Sequence, residues 1–181
     1  QTRHQVGVPS RAMLDKALED AHKHKWGYGS VAVSYAKCGY FDEALQTAEE
    51  IKDYSPNASS EDKKRTLSDI ARQQVYQVGV QEGLETALKT GDNLLLAEIV
   101  ANGAMRMSVF GEDNSELVAL AKEYFNEFLE AGDGGEALGD LSRVRQVRIV
   151  SLIAEAQWLN GDDPKETFLQ AMRIAGELID P

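Results

Sequence analysis

Three short stretches of this chain carry residue types that can do chemistry. "HKHKW" sets His22 and His24 two residues apart beside Trp26, with His4 upstream. Side chains four apart on a helix share a face and can hold one ion, whereas side chains two apart diverge. The pair therefore reads as helix-end cations, favoured by the negative end of the helix dipole. "GEDNSE" (Gly111–Glu116) and "NGDDPKE" (Asn160–Glu166) are acidic loops. Neither alternates oxygen ligands nor places the closing glutamate of a calcium loop, so both read as helix N-terminal caps. Cys38 is the single cysteine, so no internal disulfide forms. It falls on an apolar helix face, away from any histidine of its own element, and reads as a small buried residue. No nucleophile elbow, zinc-protease, phosphate-loop or CxxC pattern is present. The expectation is a non-enzyme with no metal, no cofactor and no catalytic residue.

Bulk properties narrow the remaining classes. The 181 residues are 43% hydrophobic, enough for a folded core. A net charge of −11 argues against nucleic acid, whose affinity comes from neutralising phosphates with Lys and Arg. No stretch approaches the roughly 20 apolar residues of a membrane span. With one cysteine, a reducing, cytoplasmic setting is expected, although the Gln1 start leaves a removed leader open.

The elements that must position any site are helical throughout. Ser10 is a cap candidate for a helix carrying Met13, Leu14, Ala17, Leu18 and Ala21 at helical spacing. Helices follow over about Tyr28–Cys38, Asp42–Asp53, Glu61–Val78 and Gln81–Thr90, with Ser59 and Ser60 as caps after the break at Pro56. Two very apolar helices cover about Leu94–Phe110 and Leu117–Leu129, the first ending in the Met-rich "MRMSVF" (Met105–Phe110), the second capped by Ser115 and stopped at Gly132. That stretch reads as core, with an exposed helix-binding groove as the other reading. "GDGGEALGD" (residues 132–140) is a linker candidate, and helices over Leu141–Leu159 and Lys165–Ile179 close the chain. No period-2 alternation marks a strand. The fold class is all-α: about seven or eight helices in stacked antiparallel hairpins, a single domain over 1–181.

A repeat underlies the helices. At a shift of 39 residues, Ala32 falls on Ala71, Ala44 on Gly83, Leu45 on Leu84, Thr47 on Thr86 and Ala48 on Ala87. A third copy places Ile153-Ala154 on Ile70-Ala71, Gly161 on Gly39 and, with one residue inserted in the turn, Ala171 and Ile174 on Ala48 and Ile51. The first copy resembles a tetratricopeptide repeat. Tyr28, Val31, Ala32 and Tyr35 match its first helix, Gly39 and Phe41 its turn, Ala44 and Ala48 its second helix, and Pro56 its stop. The match is best over 25–58, weaker over 57–90 and 147–179, and poor over 92–131, where only helix length and hydrophobicity fit. In the second copy Val78 stands where glycine is expected.

The resemblance implies an adaptor or scaffold that binds a protein or peptide partner, or another copy of itself, through a concave groove lined by the first helix of each hairpin. Carried onto this chain, the groove face holds Trp26, Lys37, Arg65, Arg72, Tyr76, Arg148, Glu155 and Trp158. The family's clamp for a terminal carboxylate needs Lys and Asn where Gly29 and Val33 stand, so that mode is not expected. Arginine and aromatic residues suit an acidic or acidic–aromatic segment. The competing expectation is that these arginines pair with the chain's own Asp and Glu. The rival function is a small-molecule sensor or cryptic helical enzyme with its site between helices 92–131.

Overall fold

The structure, a computed structural model, describes residues 9–54, 59–131 and 140–179. Among these residues every regular element is a helix, and there are nine: α1 (Arg11–His24), α2 (Tyr28–Lys37), α3 (Phe41–Tyr54), α4 (Ser60–Gln77), α5 (Val80–Leu88), α6 (Asn93–Val109), α7 (Ser115–Glu130), α8 (Asp140–Leu159) and α9 (Lys165–Ile179). The break at Pro56 and most of the Gly-rich stretch after α7 lie outside the described residues. Contacts gather the chain into two compact units, Gln1–Thr90 and Gly91–Pro181.

In the first unit α2 pairs with α3 and α4 with α5. The second hairpin then stacks on the first, α4 lying against both α2 and α3. The core joins Leu14 and Ala21 of α1 to Tyr28, Ala32 and Tyr35 of α2, Ala44, Ala48 and Ile51 of α3, and Leu67 and Ile70 of α4. Ala32, Ala44 and Ala48 are wholly buried, so small side chains sit where helix backbones come closest. A close approach lies at Gly83 of α5. A Cβ there would lie 2.4 Å from Val75 Cγ2 and 2.9 Å from the Ala71 carbonyl oxygen. Tyr35 is buried, and its hydroxyl donates to Asp15 Oδ1 at 2.7 Å. Burial first, then the Asp15 carboxylate, push its ionisation well above the ordinary tyrosine value.

The second unit repeats the plan. α6 pairs with α7 and α8 with α9, while α6 packs beside α8 and α7 touches α8. The stretch 92–131, whose sequence fits the repeat only in length and hydrophobicity, is thus an ordinary hairpin of the stack.

Its turn explains why. Gly39, Gly111 and Gly161 end α2, α6 and α8 with φ of +82°, +72° and +87°. In each case the next amide donates back to the carbonyl five residues earlier: Tyr40 to Tyr35, Glu112 to Met107 and Asp162 to Gln157, at 2.9–3.0 Å. Seven residues before each glycine stands a fully buried alanine, Ala32, Ala104 or Ala154. The two acidic loops are helix starts. Asp113 Oδ1 accepts from the Ser115 amide and Asp163 Oδ1 from the Lys165 amide, each at 3.0 Å. The capping group of α7 is therefore Asp113, while Ser115 is the first helical residue. At Val78 the turn is built differently: Val78 keeps φ −116°, and Gly79 is extended at φ 174°, a conformation open to any residue.

Polar groups pin the second unit from inside. Asn114 Nδ2 donates to the carbonyls of Ala104 at 3.1 Å and Ala156 at 3.4 Å, and to the hydroxyl of Ser108. Arg145 of α8 donates from Nε to Glu98 Oε2 at 2.8 Å and from Nη1 to Asp92 Oδ2 at 3.3 Å. Glu98 is 3% exposed, so this guanidinium holds a buried carboxylate on α6.

Candidate functional site

A groove of about 590 Å³ lies along α2 and α4 of the first unit. Its floor is set by close helix approach: a Cβ on Gly29 would stand 2.8 Å from Thr66 Oγ1. Polar side chains rim it, with Lys37 from the end of α2 and Asp62, Arg65 and Asp69 from successive turns of α4. Gln77 ties the two helices at one end, its Nε2 donating to the carbonyls of Ala36 at 3.1 Å and Lys37 at 3.4 Å.

The charges on the rim are unequally engaged. Asp62 closes a capping box with Ser59, accepting its amide at 2.9 Å and donating its own amide to the Ser59 hydroxyl at 3.2 Å. The Ser59 amide is the main cause holding its carboxyl below the usual carboxylate range. Asp69 takes Arg72 Nη1 at 3.1 Å. Lys37 and Arg65 are exposed and their side chains make no hydrogen bond or ion pair among the described residues, although the charge of Arg65 adds to the lowering at Asp62. Self-pairing thus describes Arg72 but not Arg65.

A second, largely apolar cleft of about 330 Å³ opens between α1 and α2, with Ala17, Ala21, Val31 and Trp26 among its walls. It shares Gly27 and Ser30 with the groove, so the two depressions adjoin. Trp26 belongs to the turn before α2, not to the helix, and is 71% exposed. Lys25 at φ 57° and Gly27 at φ 84° flank it in left-handed conformations, which turn the chain sharply at this point.

The sequence-derived site therefore divides. Lys37 and Arg65 meet in the groove, and Trp26 lies in the adjoining cleft. Arg72 sits two turns beyond Arg65 on α4, and Tyr76 is exposed at the end of that helix, outside the groove lining. Arg148, Glu155 and Trp158 belong to the second unit, where they follow one face of α8 at helical spacing, all exposed. Sequence reasoning passed over Asp62, Asp69 and Thr66. The cap at Ser59 signalled Asp62, since a carboxylate three residues after a cap is a capping-box position. The stretch Met105–Phe110 is mixed: Ser108 is buried, while Arg106, Val109 and Phe110 are exposed.

His22 is engaged with Glu50 Oε2 at 2.9 Å and packs its ring edge-on to Tyr28. Among the described residues no three of His, Cys, Asp and Glu are grouped to hold a metal ion, and no helix is long and apolar enough to cross a membrane. No protein-family model matches the chain, and neither does any curated protein or solved structure.

Proposed function

We propose that this protein is an adaptor of the tetratricopeptide-like kind, binding an extended partner segment in the groove along α2 and α4. The observation that carries the reading is the state of the rim charges. The two carboxylates are already engaged, Asp62 by its capping box and Asp69 by Arg72, while the side chains of Lys37 and Arg65 make no hydrogen bond or ion pair among the described residues. The groove thus offers open cations inside a protein of net charge −11. An acidic segment would meet Lys37 and Arg65, and a neighbouring aromatic or aliphatic side chain would meet Trp26 in the adjoining cleft. Open, polar-rimmed walls suit an extended chain better than an enclosed small molecule.

The test is selection of peptides from a random display library on the full chain, followed by affinity measurement. Acidic segments with an aromatic residue should be enriched. Their affinity should fall at least about tenfold on Lys37→Ala with Arg65→Ala, the loss of about 1.4 kcal/mol. Selected peptides that bind the double variant as tightly as the parent would reject the groove. A small molecule copurifying at stoichiometry would favour a sensor instead.

A further inference from the structure

The outer face of α9 carries a pattern that the adaptor reading does not use. Thr167 and Ala171 face inward, with the Thr167 hydroxyl donating to the buried Gln157 at 2.7 Å. The opposite face exposes Phe168, Leu169 and Met172, an apolar stripe that continues onto exposed Gly176. Glu166 and Arg173, seven residues apart, flank this stripe on one side. Both are exposed, and neither makes a hydrogen bond or ion pair among the described residues.

We propose that this face is a homodimer interface in which α9 packs antiparallel on α9 of a second copy. The charge pattern selects both partner and direction. In an antiparallel pair related by a two-fold axis, equal flanks face each other. Glu166 of each copy then meets Arg173 of the other, with Leu169 close to the axis and Met172 beside it. A parallel pair would instead set this charged flank against the partner's opposite flank, where Phe168 and Ala175 stand, so neither charge would find a counterion. Gly176, with nothing within 4 Å of its Cβ position, leaves room for a neighbouring helix to come close. From their exposures, Phe168, Leu169 and Met172 offer roughly 300 Å² of apolar side chain per copy, against about 800 Å² per partner in a standard interface. The dimer is therefore weak, with a dissociation constant of about 10–100 μM.

Sedimentation equilibrium on the full chain from about 5 to 500 μM tests it, a range that brackets that constant. The parent should show a monomer–dimer equilibrium. Met172→Asp should be monomeric throughout, and Glu166→Arg and Arg173→Glu should each weaken the dimer at least about tenfold. The double charge swap Glu166→Arg with Arg173→Glu should restore it to within about threefold of the parent. All three positions are exposed, and melting curves confirm that each variant is folded. A parent that stays monomeric at 500 μM, a dimer indifferent to Met172→Asp, or a double swap no tighter than the single ones each overturns the proposal.

Discussion

Replacing Gly83 by alanine tests a close contact between α4 and α5 in the first unit. In an exposed helix this change is favourable by up to about 1 kcal/mol, because alanine has less backbone entropy to lose. Here the new methyl would stand 2.9 Å from the Ala71 carbonyl oxygen and 2.4 Å from Val75 Cγ2. Val75 is buried, with little room to rotate, and the carbonyl belongs to helical backbone. Overpacking of this kind costs about 1–3 kcal/mol, and the backbone partner puts Gly83 toward the upper end. Subtracting the propensity gain leaves a net loss of about 1–2 kcal/mol. Gly176→Ala is the matched control, since it is also helical but meets nothing within 4 Å, and it should gain about 0.5–1 kcal/mol. Urea unfolding followed by far-ultraviolet circular dichroism reads both. The argument is refuted if Gly83→Ala is as stable as the parent, for α5 could then recede from α4 at no cost.

Other expectations use the same structure. Gly39→Ala would meet Gln77 Oε1 at an ordinary 3.5 Å but must hold φ near +82°, so it should lose about 1 kcal/mol in urea unfolding, while Val78→Gly, at negative φ, should gain nothing. Arg145→Ala removes the guanidinium bonded to the buried Glu98 carboxylate and should cost about 1.5–3 kcal/mol; Arg145→Met with Glu98→Leu should recover most of that. Tyr35 keeps its proton in the folded state above the pH at which the unfolded chain loses it. The native state then binds more protons, so stability falls as pH rises past about 10. Absorbance at 295 nm should show tyrosine that ionises only on unfolding, and Tyr35→Phe should remove the part that Tyr35 contributes.

Much of the architecture was legible because it is local. The capping of α1 by Ser10, the capping box at Ser59 and the positive φ of Gly39 each depend on a few neighbouring residues, and sequence reasoning reached the two caps and the glycine turn. The match of α6 and α7 to the repeat is poor at fixed period, since ten residues separate Gly111 from the buried Ala121, against nine between Gly39 and Ala48. That shift breaks a fixed-period comparison while leaving the packing unchanged. Gly161 and Ala171 show the same ten-residue spacing, so comparing the two acidic loops with each other would have exposed the relation.

The sequence by itself determined the all-helical class, the small residues at helix crossings and the glycine turns. These follow from side-chain period and backbone sterics, which act over a few residues. Only the tertiary structure decided which charges remain open. Arg65 and Arg72 share a helix and a chemistry, yet Arg72 bonds Asp69 while Arg65 stands with Lys37 in the groove. It likewise set Arg145 against Glu98, 47 residues away, and placed Trp26 in a turn beside an apolar cleft. Pairings of this kind depend on how helices distant in sequence are brought side by side, and no local pattern encodes that meeting.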